Sequence, residues 1–475
     1  MSQNPTPSPT PSEGPAEEVF VSLYQATKKI HPRTVSGVFA NWRWGVVILT
    51  QLVFYGLPWI DWGPRQAVLF DLVARRFYLG GIVFYPQDFI YLTGLLVVAA
   101  LSLFLFTAVA GRLWCGYACP QTVYTEIFLW IERKFEGDRQ ARIRLDESPW
   151  NWNKLRRRGS KQVLWVAVAL WTGFTFVGYF SPIRQLWGSV ISFGTGPWET
   201  FWVLFYSFAT YGNAGFMREQ VCKYMCPYAR FQSAMFDKDT LIVTYDEGRG
   251  EPRGARSKKA DIKLLNLGEC VDCSLCVQVC PTGIDIRKGL QYECIGCGAC
   301  ADVCDTVMEK VGYPKGLVRY STQNAVKSGW SRAQMWRRVL RPRVLVYSAI
   351  LGALIVALGV SLALRVPFRV DVVRDRATLA RIVEGGRIEN VYRLQVMNAT
   401  EHEQPFKVTA RGLDGLTLDT DAELIVGPAE SRWVVLRLRL PHGAAQPGSH
   451  AIQFEIEPPG LSTRITEKSV FLVPR

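Results

Sequence analysis

The chain has 475 residues, which is long enough for several domains. It is 49% apolar and contains 16 tryptophans, a composition that suits a membrane protein. A formal net charge of +14 would fit a nucleic-acid-binding protein, but the basic residues are concentrated in alternate loops between apolar segments, which argues against that class.

The N-terminal segment, residues 1–43, is predicted to be a disordered tail. Its first 18 residues are rich in Pro, Ser and Glu, and they contain no apolar core of a signal peptide. We therefore expect no cleavable signal.

Five apolar segments approach the length that a bilayer core requires, and they predict a five-helix transmembrane bundle. The second and the fifth contain no charged residue, whereas the first and the fourth are short. The five segments are Trp44–Ile60, Phe89–Ala110, Val163–Phe180, Thr200–Met217 and Val344–Leu364.

The orientation of the bundle follows from its loops. The segments on one side of the predicted helices contain 4, 11 and 21 Lys and Arg residues, while the alternate loops, 61–88 and 181–199, contain 3 and 1. Basic loops remain in the cytoplasm, so the N-terminus is predicted to be cytoplasmic and the C-terminus periplasmic. The chain is thus expected to be a multi-pass protein of the bacterial inner membrane.

Residues 44–236, which hold the first four predicted helices, contain an internal repeat of the form C-x-Y-x-C-P. One copy begins at Cys115 and the other at Cys222, and each directly follows the second helix of a predicted hairpin. Cysteines four residues apart face the same side of a helix, so each pair could offer two sulfurs to one site at the cytoplasmic membrane edge. The candidate redox residues are Cys115, Cys119, Cys222 and Cys226.

Three interpretations of these four cysteines remain open from the residues alone. They could be buried thiols that pack as small apolar groups, although the matched flanks disfavour this. They could jointly hold a cluster or a zinc ion. They could also form a thiol site for a soft ion such as Cu(I), or cycle between dithiol and disulfide.

Residues 237–262 are charged and Gly-rich, and they predict a flexible linker into a ferredoxin module at 263–320. The module contains two copies of C-x2-C-x2-C-x3-C, the run that binds two [4Fe–4S] clusters in bacterial ferredoxins. Structural zinc and disulfides fit the doubled pattern poorly. The fourth cysteine of each run crosses to the other cluster, so the predicted ligand sets are Cys270, Cys273, Cys276 and Cys304 for the first cluster, and Cys294, Cys297, Cys300 and Cys280 for the second.

The remaining segments complete the predicted order of domains. Residues 321–343 form a second linker, and 344–364 form the fifth helix. Residues 365–475 alternate apolar and polar positions in several short runs separated by turn residues, which predicts a C-terminal all-β immunoglobulin-like sandwich. The expected fold class is therefore a multi-domain membrane protein with a cytoplasmic dicluster ferredoxin-like α+β module.

Two negative observations limit the redox chemistry. None of the four histidines lies in a predicted transmembrane helix, which excludes a bis-histidine haem within the bundle. The chain contains no G-x-G-x-x-G fingerprint at the start of a βαβ unit, so electrons are expected from a partner protein or from quinol rather than from bound NAD.

With both cysteine repeats, the double ferredoxin run and the β-rich C-terminus in this order, residues 20–475 resemble the CcoG/FixG/RdxA family of accessory proteins for the assembly of cbb-type cytochrome c oxidase. The second ferredoxin run departs from the bacterial pattern in having Asp305 where a proline would stand. The resemblance implies reduction of Cu(II) to Cu(I), with copper as the substrate. It also implies that copper chaperones and oxidase subunits are partners, and that the cysteines of the two repeats bind or reduce copper.

Two other functions compete with cupric reduction. NapH-type membrane ferredoxins share the paired C-x3-C-P hairpins, which would make the chain a quinol-linked electron-transfer subunit. The chain could instead be a redox-sensing assembly scaffold without reductase activity, in which the C-terminal domain docks partners.

Overall fold

The structure is a computed structural model that describes residues 29–257, 262, 264–375, 380–419, 423–459 and 463–474. It contains three regions: a helical region, a small ferredoxin region and a β-sandwich. The helices are α1 (Val38–Gly56), α2 (Phe89–Ala110), α3 (Leu113–Tyr117), α4 (Pro120–Glu136), α5 (Arg139–Glu147), α6 (Trp152–Val177), α7 (Ile183–Ile191), α8 (Pro197–Thr210), α9 (Pro227–Met235), α10 (Glu247–Gly250), α11 (Leu275–Gln278), α12 (Ala299–Val311), α13 (Gln323–Ser328), α14 (Arg332–Val339) and α15 (Pro342–Ala363).

The strands form five antiparallel sheets. Short hairpins lie between α1 and α2, one pair of strands lies in the ferredoxin region, and the rest form the sandwich. The strands are β1 (Asp61–Trp62), β2 (Arg65–Gln66), β3 (Val68–Asp71), β4 (Arg76–Leu79), β5 (Ile82–Phe84), β6 (Ile242–Tyr245), β7 (Val318–Ser321), β8 (Phe368–Arg374), β9 (Arg381–Val383), β10 (Arg387–Asn398), β11 (Gln404–Arg411), β12 (Thr417–Asp419), β13 (Glu423–Val426), β14 (Ser431–Leu440), β15 (Gly448–Glu457) and β16 (Ile465–Val473).

Three helices of the described residues are long and apolar enough to cross a membrane, not the five that the sequence predicts. They are Pro86–Ala110, Trp152–Val177 and Pro342–Ala363. The first predicted span lies in α1, whose sequence includes Asn41, Arg43 and Gln51 among its apolar residues. The fourth falls on α8, which has only 14 residues before the chain continues as a π-helix at Tyr211–Met217. Fourteen residues extend about 21 Å, less than the hydrocarbon core of about 30 Å.

Helices α2 and α15 pack side by side in opposite directions. At one end Tyr91 donates to the carbonyl of Ser361 at 3.1 Å, and at the other end Arg341 donates to the carbonyl of Ala108 at 2.6 Å. Most of their large apolar side chains, including Leu96 and Val356, remain exposed on the outer faces. Exposed apolar faces of this size fit contact with lipid.

The ferredoxin region is held firmly against the helical region. The segment predicted as a flexible linker contains β6, which pairs with β7, and the short helix α10. The end of the predicted N-terminal tail also has defined structure, because α1 begins at Val38, and Asp302 of α12 accepts the backbone N–H groups of Phe39 and Ala40. An aspartate at this position satisfies amide groups that the first turn of α1 leaves unpaired. Residues 1–28 of that tail lie outside the described residues.

The C-terminal region is the predicted all-β sandwich. One sheet has the order β12-β14-β10-β8 with β9 on β10, and the other has the order β13-β11-β15-β16. Alternate side chains from both sheets form one apolar core, in which Tyr392, Phe406, Phe454 and Phe471 are fully buried. This pattern of two facing antiparallel sheets is that of immunoglobulin-like domains.

The hairpins between α1 and α2 pack against this sandwich. Tyr78, Val83 and Tyr85 share a buried cluster with Met397 and Ala429. Beside that cluster, the fully buried carboxylate of Asp88 pairs with Arg365 and Arg369. The sandwich is therefore attached to the start of α2 and the end of α15, far from the ferredoxin region.

Candidate iron–sulfur and thiol sites

The two cysteine loops of the ferredoxin region have matching backbone conformations. Asp272 and Gly296 occupy equivalent positions with φ of 51° and 67°, and Ser274 and Gly298 follow with φ of 55° and 73°. Left-handed residues at these points turn the chain so that consecutive cysteines face one centre. Helices α11 and α12 begin directly after them.

Two cavities separate the eight cysteines as the predicted crossover requires. One cavity of about 390 Å³ is lined by Cys270, Cys273, Cys276 and Cys304. The other, of about 350 Å³, is lined by Cys280, Cys294, Cys297 and Cys300, and Cys276 also borders it. Eight thiols in two enclosures with few other polar groups fit two [4Fe–4S] clusters, the centres that such cysteine sets bind.

Arginines compensate for the charge that each enclosure would carry. Burial raises the pKa of Cys276 to about 11, and Arg287 opposes this shift. Burial also raises the pKa of Cys297, with Arg43 opposing it. Free thiols at this depth stay protonated at neutral pH, so metal binding would have to displace their protons.

The two enclosures differ in their access to solvent. Cys273 is exposed, whereas Cys297 is buried. The first enclosure therefore reaches the protein surface, and the second lies between the first and the helical region.

The C-x3-C-P cysteines do not lie on one face of a continuous helix, contrary to the sequence prediction. Cys115 lies within α3, but Cys119 has ψ of 128° and precedes α4. Cys222 lies in a π-helix, and Cys226, with ψ of 111°, precedes α9. The cause is the proline after each second cysteine, because a proline excludes the preceding residue from helical conformation. Each pair thus spans a junction between two helices.

This geometry places both second cysteines at the start of a helix. Pro120 and Pro227 occupy the first positions of α4 and α9. Burial raises the pKa of Cys119, while the backbone N–H groups of Gln121 and Thr122 oppose this shift. The positive end of a helix favours a thiolate, so each junction is suited to a negatively charged sulfur.

The two pairs lie close to one another and to the second ferredoxin loop. Cys115 and Cys222 both pack on an apolar cluster that contains Ile295 and Cys297. Burial, together with the nearby Cys119, Cys115 and Cys226, raises the pKa of Cys222 to about 12. The four thiols therefore belong to one neighbourhood rather than to two separate sites.

The contact between α3 and the second ferredoxin loop is made at Gly116. A Cβ atom there would lie 2.8 Å from the carbonyl oxygen of Ile295 and 2.9 Å from the backbone nitrogen of Cys297. Only a glycine allows such an approach without displacing the loop. The repeat sequence and the second cluster loop thus meet backbone to backbone.

Several residues around the site were not predicted from the sequence. Gln232 of α9 is fully buried, and its amide nitrogen lies 3.3 Å from the sulfur of Cys115. Arg112 donates to the carbonyl of Ala229 at 2.6 Å; burial raises the pKa of both Cys115 and Cys294, and the charge of Arg112 opposes this rise. Neither residue belongs to a cysteine motif, so no spacing pattern could have identified them.

A cavity of about 400 Å³ opens beside Cys222. Its polar lining includes Gln121, Thr122, Arg218 and Glu219. Gln121, Thr122 and Glu219 therefore place side-chain oxygens around a cavity that reaches Cys222.

Comparisons with known proteins agree with this arrangement. A family model described as a 4Fe-4S dicluster domain matches residues 217–323, and one described as a 4Fe-4S binding domain matches residues 92–137. A model described as the IG-like fold at the C-terminal of FixG matches residues 358–474. The segment 92–137 contains two cysteines, Cys115 and Cys119.

Three characterised proteins are similar over most of the chain. The nitrogen fixation protein FixG of Rhizobium meliloti is 39% identical over 427 residues, which cover 83% of this chain and 82% of FixG. Protein RdxA of Cereibacter sphaeroides is 39% identical over 430 residues, covering 88% and 90%, and protein RdxB of the same organism is 37% identical over 465 residues, covering 95% and 97%. Among solved structures, a FixG-related protein from Vibrio parahaemolyticus is 25% identical over 23% of this chain and 97% of its own, with a TM-score of 0.22.

The fold and the cysteine sites define a membrane-associated iron–sulfur electron-transfer protein with a C-terminal immunoglobulin-like domain. The chain belongs to the FixG/RdxA family, as its sequence predicted.

Proposed function

We propose that the protein reduces Cu(II) to Cu(I) for the assembly of a cbb-type cytochrome c oxidase. The observation that carries this proposal is the direct packing of the C-x3-C-P repeats on the second ferredoxin loop, where Gly116 meets the backbone and where Cys115 and Cys222 pack on the cluster of Ile295 and Cys297. A thiol-rich site is suited to the product, because thiolates favour Cu(I) over Cu(II).

The eight ferredoxin cysteines would hold two [4Fe–4S] clusters, in the sets that the two cavities define. When bound, these clusters supply one-electron transfer. The exposure of Cys273 makes the first enclosure the entry side, where a reduced electron-carrier protein would dock. The burial of Cys297 keeps the second enclosure dry and places it next to the four-cysteine site.

Copper enters as substrate and takes up one electron per ion. The cavity beside Cys222 provides an approach from the surface of the helical region, with hydroxyl, amide and carboxylate oxygens that suit Cu(II). The reduced carrier protein is oxidised by one electron for each copper ion that is reduced. Copper chaperones and oxidase subunits are the proposed recipients of the product.

The proposed location is the bacterial inner membrane, with the ferredoxin region in the cytoplasm and the sandwich in the periplasm. The charge bias of the loops and the attachment of these regions to opposite ends of α2 support this orientation. The number of crossings is proposed to be odd.

The test is reduction of Cu(II) by anaerobically purified, chemically reduced protein, followed with a Cu(I)-specific chelator. Each electron stored on the protein should yield one Cu(I). A variant in which Cys115, Cys119, Cys222 and Cys226 are all alanine should retain its ferredoxin iron and lose the reaction. Unchanged copper reduction in that variant would reject the role of the four cysteines.

A further inference from the structure

We propose that Cys115, Cys119, Cys222 and Cys226 together hold a third [4Fe–4S] cluster. This inference rests on the proposed function and refines it: a cluster that occupies all four sulfurs would be the centre from which copper, held in the cavity beside Cys222, receives its electron. The two repeats bring their thiols into one neighbourhood, and a buried amide lies beside the sulfur of Cys115.

The two halves of the site are held together by contacts between the repeats. Gln232 lies on α9, the helix that begins after Cys226, and its amide touches the sulfur of Cys115 in the other repeat. Arg112, just before the first repeat, donates to the carbonyl of Ala229 on the same helix α9 at 2.6 Å. Each repeat therefore supplies two cysteines to one neighbourhood.

The spacing of the sulfurs argues against a single metal ion. Thiolates on one zinc or copper ion lie about 2.3 Å from it, and so within about 4 Å of each other. Among the side chains that the structure describes, no three histidines, cysteines, aspartates or glutamates converge closely enough for one ion. The eight ferredoxin cysteines do not converge on one ion either, as expected for cluster ligands, because each thiolate of a cubane cluster binds a different iron. The four cysteines of the repeats share this property with the ferredoxin cysteines.

Hydrogen-bond donors and positive charges surround the four cysteines, as they do in iron–sulfur proteins. Gln232 is fully buried, and an amide N–H directed at a sulfur is the kind of hydrogen bond that adjusts the potential of an iron–sulfur cluster. Both helix starts, at Pro120 and Pro227, direct positive dipoles at the second cysteine of each pair. Arg112 adds a positive charge that faces this site and the second ferredoxin enclosure together.

The test is the iron and acid-labile sulfide content of the full-length chain, purified anaerobically in detergent. Three clusters predict about twelve iron atoms per chain, and two clusters predict about eight. Mössbauer spectra should assign all of the iron to cubane clusters. Alanine at any one of the four cysteines should lower the iron content by about one third and leave the ferredoxin signals unchanged, which also shows that the variant has folded.

Gln232→Leu provides a second readout that is independent of ligand loss. We expect the iron content to stay at twelve and the midpoint potential of one centre to shift, with the other two unmoved. The matched control is Gln51→Leu on α1, which should move none of the three potentials.

Eight iron atoms with four alkylatable thiols, or one zinc or copper ion per chain at these cysteines, would overturn the third cluster. These outcomes are separable from failure of the proposed function. Twelve irons without copper reduction would reject cupric reduction alone, whereas eight irons with intact copper reduction would reject the third cluster alone.

Discussion

Substitution of Gly116 by alanine tests the central contact between the repeat cysteines and the second ferredoxin loop. The added Cβ would lie 2.8 Å from the Ile295 oxygen and 2.9 Å from the Cys297 backbone, and both neighbours are main-chain atoms that cannot rotate away. Either α3 or the loop must therefore move by about half an ångström. Overpacking of this kind costs about 1–3 kcal/mol.

The strain should be released when the cluster loop opens, so it should accelerate iron release roughly 5- to 150-fold. The assay is loss of cluster absorbance during anaerobic incubation with an iron chelator. The electron paramagnetic resonance signal of the second cluster should also change, while that of the first cluster should not.

Gly159→Ala is the matched control, because a Cβ on Gly159 of α6 would meet no atom within 4 Å. Its iron release should equal that of the parent protein, and its helix should be slightly more stable. If Gly116→Ala released iron at the parent rate with an unchanged spectrum, α3 would not contact the loop, and the proposed electron path would lose its structural basis.

Three further predictions concern stability and orientation. Glu132→Gln should lower the free energy of unfolding of the helical region by about 3–5 kcal/mol, because the buried guanidinium groups of Arg142 and Arg218 would lose their shared carboxylate. Thermal unfolding measures this change, and a decrease of less than about 1 kcal/mol would contradict the prediction. Burial alone would raise the pKa of Glu132, but Arg218, Arg142 and Lys161 hold this pKa below the ordinary 4.5. The parent protein should therefore lose the stabilisation from Glu132 as the pH falls below 4.5, because the carboxylate becomes protonated. The Glu132→Gln variant should lack that part of the pH dependence. Asp88→Asn should weaken the attachment of the sandwich to α2, because Arg365 would lose its carboxylate partner. Limited proteolysis should then release the C-terminal domain faster by cleavage after residue 364. Asp371→Asn, at the exposed contact with Gln87, is the control and should not change the rate of release. In sealed vesicles of known orientation, a membrane-impermeant maleimide should reach Ser449→Cys and Ser328→Cys from opposite sides, and labelling of both from one side would reject the proposed topology.

The ferredoxin ligands and the sandwich could be predicted from the sequence because their signals are local. The doubled cysteine run specifies eight sulfurs by spacing alone, and strand segments such as 392–396 of β10 and 436–440 of β14 alternate apolar and polar side chains. These local patterns are enough to predict which cysteines line each enclosure and that the C-terminal strands form a sandwich.

The helical region was harder to predict because composition does not reveal how a helix is interrupted. Thr200–Met217 reads as one apolar segment, but the chain changes from α-helix to π-helix after Thr210. Likewise, Cys119 is four residues after Cys115, yet Pro120 ends the helical geometry between them. In both places a local backbone change, rather than hydrophobicity, determines the structure.

The contacts at the two ends of α2 explain how one chain can separate its cysteine sites from its C-terminal sandwich. Gly111 at the end of α2 lies against Leu241, and Arg112 reaches Tyr292 of the ferredoxin region. The start of α2 is fixed to the sandwich through Asp88 and Arg365. The 22 residues between these ends extend about 33 Å, which matches the hydrocarbon core of a bilayer. Because α15 runs back along α2 and is tied to it at both ends, these two helices hold the cysteine sites and the sandwich apart, and the hairpins that bind Gly178 after α6 add a second link between the sandwich and the helical region.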